Sequence, residues 1–580
     1  MTVSDDEIAA RLAEFADLLE ARDVEYKPRA YRRAAENVRE YPDSVADLAA
    51  EGPDAVARVD GVGDAIASKV VEYVGTGSIA ELDELRAELP VDIAALTRVE
   101  GVGPKTVGAL YEALGVADLD DLAAAAENGE IREVSGFGAK TEQNIAEGVA
   151  FAREAAEREL LGAARPGGEA VVDYLAEQSP VERVELAGSI RRWKPTIGDV
   201  DVLVGANDAE AAVAAFREWP AADSVIEAGD TKASVRADGV RVDLRVVAPT
   251  EFGAALQYFT GSKDHNVALR NRAIDRDLKM NEYGLFDVSD VAEPGADQRA
   301  GERVAGETEA GMYEALGLAA MAPELRENRG EIDAAAAGEL PDLVVEDQIR
   351  GDLHVHTDWS DGNDSIREMV EGAAAVGHDY VAVTDHATGP GMVGGVGVPD
   401  EALRDQLSEI RAVADDTDIT VFAGVEANVG TDGSVSVADD LLAALDVVVA
   451  SPHAGLDGDG TDRLVAAASH PEVDIIGHPT GRYLRRRSGL DVDVERLATV
   501  AADTGTALEI NANPERLDLG GRAVQTALEA GATVAVNTDA HRPASYELVR
   551  YGVHTARRGW AETGDVLNTR TAEGVREFLA

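Results

Sequence analysis

Hydrophobic positions near the start of the chain recur three or four residues apart, which is the spacing of one face of an amphipathic helix. The first such face is formed by Ile8, Leu12, Phe15, Leu18 and Leu19. Up to about residue 150 the helical patterns stay short and are separated by Gly-Val-Gly or Gly-Phe-Gly turns. The pattern predicts a helical N-terminal region made of two domains, residues 1–85 and 86–150.

Runs of β-branched residues replace the helical spacing between residues 181 and 250. Strands are predicted at VERVELAGSI, DVDVLVG, ADSVIEA and VRVDLRVVA, with a helix at EAAVAAFREW. We therefore expect an α+β domain over residues 151–250. Mixed helix and turn follow over 251–318, and residues 319–349 are interpreted as a linker.

From residue 350 to residue 580, short strands that end in His or Asp alternate with helices such as SIREMVEGAAAVG. This βα rhythm predicts a barrel or a doubly wound domain. The whole chain is predicted to be multidomain, because its 580 residues exceed the size at which one hydrophobic core keeps growing.

The charge balance indicates a folded but strongly acidic protein. Asp and Glu number 110 against 53 Lys and Arg, a net charge of −57, and lysine is missing after Arg350. The 45% of hydrophobic residues and their regular spacing argue against disorder. Such a surface suits molar potassium salt, where a Debye length of ~3 Å screens its self-repulsion. We expect an extremely halophilic source; the alternative is an unusually acidic mesophilic enzyme.

Cysteine is absent, so any metal must be held by His and carboxylates. The N-terminal segment MTVSDDEIAARLAEF lacks the basic start and apolar core of a signal peptide. No apolar run approaches the ~20 residues that a membrane helix needs. The sequence therefore predicts a cytoplasmic protein without a membrane segment.

A turn of two glycines followed by a helix occurs three times. The turns contain Gly61 and Gly63, Gly101 and Gly103, and Gly136 and Gly138. Glycine permits close backbone approach, so the amides at the following helix N-terminus are able to face a phosphate. The segments before the turns look helical, which argues against a dinucleotide-binding fold. A capped helix–turn pair without a ligand is the remaining alternative.

Three carboxylates form the strongest signal of the first half. Asp199 and Asp201 lie two positions apart on a predicted strand and so project to one face, and Asp243 lies on a later strand. Such a trio is able to hold two Mg²⁺ or Mn²⁺ ions that activate a hydroxyl and stabilise a transferring phosphoryl group. An isolated Asp-x-Asp is more often a solvated strand edge, so the surrounding residues decide between the two interpretations.

A turn at Gly188 and Ser189 precedes GDVD and makes the site more specific, because its backbone and hydroxyl are able to grip a triphosphate while Arg192 supplies charge. Here the chain resembles the family X DNA polymerases, whose palm carries such a turn and a carboxylate trio. The resemblance implies that the three carboxylates are catalytic metal ligands and that Arg241 orients Asp243.

The resemblance continues through YFTGSKDHNVALR and MNEYGLF. It implies nucleotide binding at Gly261 and screening of the sugar by Tyr258 and Phe259. It also implies that Asn266 and Arg270 approach the base pair and the minor groove.

The N-terminal segment EYKPRAYRRAAENVREYP resembles the family's 5′-phosphate pocket and would place Lys27 and Tyr31 there. Lys69 matches the nucleophile that opens an abasic site by Schiff-base formation. Ala65 stands where relatives with strong lyase activity carry another lysine, so a plain surface lysine is the alternative for Lys69. By the same resemblance the glycine turns, with Lys105, become helix-hairpin-helix elements that hold DNA on either side of a gap.

The C-terminal half carries His and carboxylate motifs after its predicted strands. The motifs are DLHVHTDWSDG, VTDH, GVEAN, SPHAG, GHPTGR and NTDAH, and they contain six of the ten histidines. His354 with His356, and Asp539 with His541, have the two-residue spacing that points both side chains the same way. Neutral imidazoles and carboxylates suit Zn²⁺ or Mn²⁺, and so many ligands imply more than one ion. A decayed remnant of a metal site is the alternative.

These motifs resemble the polymerase and histidinol phosphatase (PHP) domain, a distorted β/α barrel with a trinuclear centre. The resemblance implies a phosphoesterase with three Mn²⁺ or Zn²⁺ ions, and leaves Arg482 and the run from Arg485 to Arg487 available for phosphate contacts. The implied ligands are His354, His356, Asp361, His386, Glu426, His453, His478, Asp539 and His541.

The resemblance covers nearly the whole chain and implies a polymerase that fills short gaps in base excision repair, joined to a PHP domain that acts as a 3′-5′ exonuclease and clears blocked 3′ ends. Expected partners are gapped or nicked DNA, dNTPs and other base-excision repair proteins. Two alternatives remain. One is a template-independent nucleotidyltransferase, and the other is a DNA-end binding protein whose catalysis has lapsed, which loss of metal dependence would favour.

Overall fold

The computed structural model describes residues 5–580 except 25–26, 42–43, 60, 98, 100, 157, 296 and 393–395. The chain divides into two compact units, Met1–Glu157 with Arg485–Ser488, and Arg158–Leu484 with Gly489–Ala580. Among the described residues, no helix combines the length and the apolar character that a membrane crossing requires.

The first unit is helical over its described residues. Its helices are α1 (Asp5–Ala21), α2 (Lys27–Glu40), α3 (Val45–Glu51), α4 (Pro53–Val56), α5 (Asp64–Thr76), α6 (Ala80–Glu88), α7 (Ile93–Leu96), α8 (Pro104–Leu114), α9 (Leu119–Glu127) and α10 (Ala139–Ala156). The predicted apolar face of α1 is buried, with Leu12 and Phe15 at 0% exposure, and forms one core with later helices. The predicted helical region is therefore confirmed.

The second unit begins with a mixed region built on a five-stranded sheet in the order β2-β4-β7-β6-β5. Only the β4–β7 pair is parallel in this sheet, and the other pairs are antiparallel. Its elements are β1 (Glu159–Leu160), α11 (Leu161–Ala176), β2 (Arg183–Leu186), α12 (Gly188–Arg191), β3 (Thr196–Ile197), β4 (Val200–Gly205), α13 (Ala209–Arg217), β5 (Ser224–Ala228), β6 (Lys232–Ala237) and β7 (Val240–Val247).

Two details of this sheet differ from the sequence prediction. The first strand ends at Leu186, and the GSI that was included in it opens the short helix α12, because Gly188 has a φ of 62° that breaks the extended backbone. Strand β6 was not predicted. Its inward positions at Ala233 and Ala237 are small, so the alternation that marks a half-buried strand is weak.

A smaller region follows and includes the predicted linker. Its elements are α14 (Phe252–Thr260), α15 (Lys263–Ile274), β8 (Leu278–Asn281), β9 (Gly284–Asp287), β10 (Glu302–Ala305), α16 (Glu309–Ala315) and α17 (Glu331–Ala337). Residues 319–349 pack within the second unit, since Glu324, Arg326 and Glu331 are at most 3% exposed. Their burial is possible because Glu324 and Arg326 form ion pairs with Arg557 and Glu309, and Glu331 is hydrogen-bonded to His265 and to main-chain amides.

The C-terminal region is a parallel barrel with strands in the order β11 to β17. A bridge from Val355 to Ala540 and the bond from His356 N to Ala540 O, 2.8 Å, bring the last strand back to the first. The elements are β11 (Gly351–Val355), α18 (Ile366–Ala375), β12 (Tyr380–Val383), α19 (Asp400–Ala414), β13 (Thr420–Asn428), α20 (Asp439–Leu442), β14 (Val447–Ser451), α21 (Thr461–Ala468), β15 (Ile475–Ile476), α22 (Val494–Thr504), β16 (Ala507–Asn511), α23 (Gly521–Glu529), β17 (Val534–Asn537), α24 (Val549–Arg558) and α25 (Ala572–Phe578). The predicted fold class is confirmed in all three regions.

Candidate metal and nucleic-acid sites

The three carboxylates of the mixed sheet lie at the start of β4 and at the position of β7 that pairs with it. Asp201 on β4 and Asp243 on β7 are register partners, and Asp199 directly precedes β4. Burial, together with the charges of Asp199 and Asp243, raises the pKa of Asp201 to about 7, and burial and the charge of Asp243 also raise the pKa of Asp199. Divalent cations would relieve the repulsion among these three crowded carboxylates.

Gly188 lies against this site. A Cβ atom there would meet Asp201 Oδ2 at 1.9 Å, and the φ of 62° is itself unfavourable for other residues. Ser189 follows in the first turn of α12, half-buried, and Arg192 comes directly after that helix. Arg192 donates Nε to Glu327 Oε1 at 2.9 Å and Nη1 to Thr260 O at 2.6 Å. The predicted contacts of Ser189 and Arg192 with a triphosphate stay a prediction.

A cleft of about 230 Å³ opens beside the carboxylates and is lined by Asp201, Arg241, Asp243, Arg245 and Phe259, among others. Arg241 Nε donates to both oxygens of Asp243, at 2.8 and 3.0 Å, which fixes the orientation of that carboxylate. Arg245 lies 4.6 Å from the ring of Phe259.

The segment after α14 forms a tight turn held by Asn266. Its side-chain amide donates to Tyr258 O at 2.7 Å and to Gly261 O at 3.2 Å, and a Cβ atom on Gly261 would meet Asn266 Oδ1 at 2.5 Å. The ring of Tyr258 meets that of Phe259 edge to face at 5.2 Å. Arg270 is exposed on α15. In this structure Asn266 thus holds the turn that carries the two aromatic rings.

The glycine turns of the first unit share one geometry. The first glycine has a positive φ in each, 69° at Gly61, 78° at Gly101 and 95° at Gly136. Gly63 and Gly103 are the N-caps of α5 and α8, and Gly138 directly precedes α10. Each turn therefore presents the amides of a helix N-terminus, as phosphate binding requires.

Lys69 is tied to neighbours within the first unit. Its Nζ lies 2.8 Å from Glu81 Oε2, and Tyr31, buried and stacked on Phe15 at 4.5 Å, also interacts with it. Burial alone would lower the pKa of Lys69, but Glu81 and Tyr31 together raise it. Lys27 is exposed at the start of α2.

Lys105 lies in the first turn of α8, next to the second glycine turn. Its Nζ is 3.3 Å from Asp23 Oδ1. Because both side chains are largely exposed, this pair is weak enough for a DNA phosphate to replace the carboxylate.

The barrel gathers the nine predicted ligands at the carboxyl ends of its strands. Glu426 is central: its oxygens lie 3.0 to 3.4 Å from Nε2 of His478, His453 and His354, and 2.5 Å from Nδ1 of His386. The others join them, with His356 Nε2 3.0 Å from Asp539 Oδ1 and His541 Nε2 3.3 Å from Asp361 Oδ1. Within the cluster, three overlapping groups of side chains could each hold one metal ion. They are His356, Asp361, His386 and His541; His354, His356 and Glu426; and His386, Glu426 and His453.

The buried polar atoms of this cluster fit metal ions. Among the described residues, buried atoms without a hydrogen-bond partner include His354 Nε2, both ring nitrogens of His356, both Glu426 oxygens and His453 Nε2. Burial lowers the pKa of His356 and of His453 to about 4, which keeps both imidazoles neutral, whereas neighbouring carboxylates outweigh burial and raise the pKa of His354, His386 and His541. Zn²⁺ or Mn²⁺ requires neutral imidazoles and ionised carboxylates, and a bound cation would take the place of the protons on these three rings.

Two residues that orient these ligands were missed from the sequence. Glu509 Oε1 lies 2.7 Å from His354 Nδ1, while its Oε2 accepts from His478 N at 2.6 Å. Asn428 Oδ1 lies 2.7 Å from His453 Nδ1. Asn428 ends β13, two positions after Glu426 in GVEAN, so the same spacing could have found it, whereas Glu509 lies in the middle of β16.

Two arginines near the cluster have different roles. Arg482, expected to contact phosphate, donates Nε to Arg516 O at 2.9 Å and Nη2 to Leu517 O, so its guanidinium fastens a loop. Arg516 is 9% exposed, and its guanidinium carbon lies over the ring of Tyr483, 4.1 Å from the ring centroid. Its Nε has no hydrogen-bond partner and lies 3.8 Å from Asp539 Oδ2. Arg516 was not singled out in the sequence.

Four family profiles match the chain in consecutive order. They are the helix-hairpin-helix domain over residues 4–79, the SAM-like helix-hairpin-helix tandem over 93–150, the DNA polymerase beta thumb over 255–327 and the PHP domain over 352–513.

Curated relatives agree with these profiles. The chain is 35% identical over 564 residues to the DNA polymerase/3′-5′ exonuclease PolX of Bacillus subtilis, covering 96% of both proteins. It is 28% identical to DNA polymerase lambda of Rattus norvegicus, over 46% of this chain and 48% of that protein. It is 29% identical to a probable phosphatase of Caldanaerobacter subterraneus, over 33% of this chain and 75% of that protein. The chain therefore belongs to the PolX family, the family X DNA polymerases that carry a C-terminal PHP domain.

Proposed function

We propose that this protein fills short gaps in DNA during base excision repair and that its PHP domain removes nucleotides or blocking groups from the 3′ end. The observation that carries the proposal is the presence, within one compact unit, of a carboxylate trio beside a cleft of about 230 Å³ and of a separate cluster of the nine predicted ligands. Polymerase and 3′-5′ exonuclease activities are both named for the Bacillus relative that matches the full length.

In the polymerase centre, Asp199, Asp201 and Asp243 would hold two Mg²⁺ or Mn²⁺ ions, which supply activation of a 3′-hydroxyl and stabilisation of phosphoryl charge. Arg241 keeps Asp243 oriented toward the cleft. Because Gly188 has no side chain, the turn that opens α12 packs directly against Asp201.

The remaining polymerase residues bind the incoming nucleotide. Ser189 and Arg192 would bind the triphosphate, and Tyr258 and Phe259 would screen the sugar. Asn266 holds their turn, while Arg270 is exposed and would approach the minor groove.

In the PHP centre, the nine ligands would hold three Mn²⁺ or Zn²⁺ ions, which supply Lewis-acid activation for phosphate ester hydrolysis. Glu509 and Asn428 fix the histidine rings. We assign to Arg516 the contact with the substrate phosphate, because its Nε lies 3.8 Å from Asp539 Oδ2 without a hydrogen-bond partner. Arg516→Ala is expected to slow 3′-end removal about 100-fold while bound metal stays at the wild-type amount.

Gapped or nicked DNA would be held by the three glycine turns and by Lys27, Tyr31 and Lys105. Recognition through main-chain amides suits a protein with a net charge of −57, because lysine-driven counterion release contributes little in concentrated salt. The same acidity supports a halophilic setting and work in concentrated potassium salt. Other base-excision repair proteins would supply the gapped substrate.

The test uses DNA with a single-nucleotide gap and a 3′-phosphate, dNTPs and Mn²⁺ in concentrated KCl. His356→Ala is expected to fail only on the blocked end and to extend an unblocked 3′-hydroxyl. Asp243→Ala is expected to unblock the end without extending it. If the wild-type protein adds no templated nucleotide to an unblocked end, the polymerase proposal is wrong.

A further inference from the structure

The last long helix of the barrel contacts the segment that follows the nucleotide-binding turn. The imidazole of His554 on α24 stacks on the indole of Trp193, with ring centroids 3.5 Å apart and an interplanar angle of 6°. Trp193 is 6% exposed and has a φ of 53°, so its backbone is held in an uncommon conformation. The PHP barrel thus fixes the residue next to Arg192.

Arg558, at the end of α24, reaches Arg192 in two ways. Its Nη1 donates to the main-chain oxygen of Arg192 at 2.7 Å and lies 3.4 Å from Glu327 Oε1. The same Glu327 oxygen accepts from Arg192 Nε at 2.9 Å. One carboxylate therefore connects an arginine of the PHP barrel with the arginine assigned to the triphosphate.

This connection is largely shielded from water. The side chains of Arg558, Arg192 and Glu327 are 9%, 12% and 14% exposed. At this depth an ion pair is screened little by salt, so loss of one partner is felt by the groups that remain. Without Arg558, Glu327 would keep Arg192 and Lys194 as partners but lose one hydrogen bond, and the Arg192 carbonyl would lose its side-chain donor. The Arg192 guanidinium would then be held less firmly, by Glu327 and the Thr260 carbonyl alone.

We infer that Arg558 of the PHP domain is a positioning residue of the polymerase centre, which holds Arg192 in place through Glu327 and through the Arg192 carbonyl. The inference rests on the proposed role of Arg192 in binding the triphosphate. It makes the PHP barrel a structural part of the nucleotide site, in addition to its own chemistry.

The neighbouring Arg557 provides a matched control. It lies on the same helix and forms the same kind of buried pair with the same segment, since its Nε donates to Glu324 Oε1 at 2.7 Å. Its Nη1 donates to Val344 O at 3.0 Å. Loss of Arg557 weakens the same contact between barrel and polymerase but removes no group that touches Arg192 or Glu327.

The experiment measures KM and kcat for dNTP in gap filling, and 3′-5′ exonuclease rate, on the full-length protein in concentrated KCl. Arg558→Ala is expected to raise KM about tenfold, equivalent to loss of one charge-assisted hydrogen bond, with kcat and exonuclease rate within about twofold of wild type. Arg558→Lys should recover part of the KM effect, because an ammonium group is also able to pair with Glu327. Arg557→Ala should leave KM unchanged.

The outcomes separate the inference from the proposed function. If Arg192→Ala raises KM and Arg558→Ala does not, the inference is wrong and the proposed function stands. If Arg192→Ala also leaves KM unchanged, the assignment of the triphosphate to Arg192 fails. An equal rise in KM for Arg557→Ala would overturn the inference, because the effect would then belong to the whole contact. Should Arg558→Ala lose its exonuclease through misfolding, Arg558→Lys and Glu327→Gln decide by the same KM criterion.

Discussion

Lys69 shows how close neighbours set the chemistry of a single residue. A Schiff-base nucleophile must be a neutral amine, whereas the pair with Glu81 at 2.8 Å and the contact with Tyr31 raise the pKa of Lys69 and keep it charged. We therefore predict that any lyase activity of Lys69 is weak.

We expect little borohydride trapping of the wild-type protein on abasic-site DNA near neutral pH. Glu81→Gln should increase trapping, because removing the carboxylate lowers the pKa of Lys69. Glu84→Gln, an exposed change on the same helix, serves as the control and should have no effect. Efficient trapping of the wild-type protein at neutral pH would contradict the argument.

Glu509 is a neighbour that sets the behaviour of the predicted metal ligands at the PHP centre. Its carboxylate fixes the ring of His354 and the backbone of His478, so Glu509→Gln is expected to weaken Mn²⁺ binding about 10- to 100-fold. Calorimetric titration of the metal-stripped protein measures this directly. The control is Glu495→Gln on the exposed side of α22. Equal Mn²⁺ affinity for wild type and Glu509→Gln would show that Glu509 does not orient the ligands.

At the scale of elements, α24 and residues 323–329 are joined by buried ion pairs. Burial alone would raise the pKa of Glu324, but hydrogen bonds from His554 and Arg557 lower it to about 2. A folded-state pKa below the unfolded value of 4.5 means that this group stabilises the fold above pH 4.5 and that the stabilisation is lost as pH falls toward 2.

Glu324→Gln should therefore lower the free energy of unfolding by about 3 kcal/mol near neutral pH, with a smaller difference from wild type in acid. Denaturant unfolding of both proteins across this pH range is the measurement. Glu314→Gln, exposed on α16, is the control. A difference that stays constant with pH would mean that loss of packing, and not loss of the ion pair, causes the effect.

At the scale of the whole molecule, the net charge of −57 governs behaviour in salt. Lowering the KCl concentration from about 3 M to about 0.2 M increases the Debye length and so restores the repulsion among surface carboxylates. We expect loss of helical circular dichroism and of gap filling at the low concentration. Sucrose at equal osmolality should not rescue either property. A protein that stays folded and active at low salt would instead be the acidic mesophilic enzyme that the sequence leaves open.

The sequence by itself determined what depends on local spacing. The amphipathic helices, the glycine turns, the βα rhythm and the His and carboxylate motifs are all visible, because each is set by neighbours a few positions away or by the end of one strand. The set of nine predicted ligands came from the resemblance of those motifs to the PHP domain. Strand β6 was not predicted, because Ala233 and Ala237 give too weak a hydrophobic alternation. The segment interpreted as a linker, residues 319–349, packs within the second unit, where Glu324 and Glu331 are buried.

Only the tertiary structure decided the partners. His354 and Glu509 are 155 positions apart, and Arg558 and Arg192 are 366 apart. No spacing rule connects such residues, because the folded backbone alone brings them within hydrogen-bond distance. The roles of Arg482 and Arg516 could not be told apart from the sequence for the same reason. Only the path of the loop shows that Arg482 binds main-chain oxygens and that Arg516 faces the metal-ligand cluster.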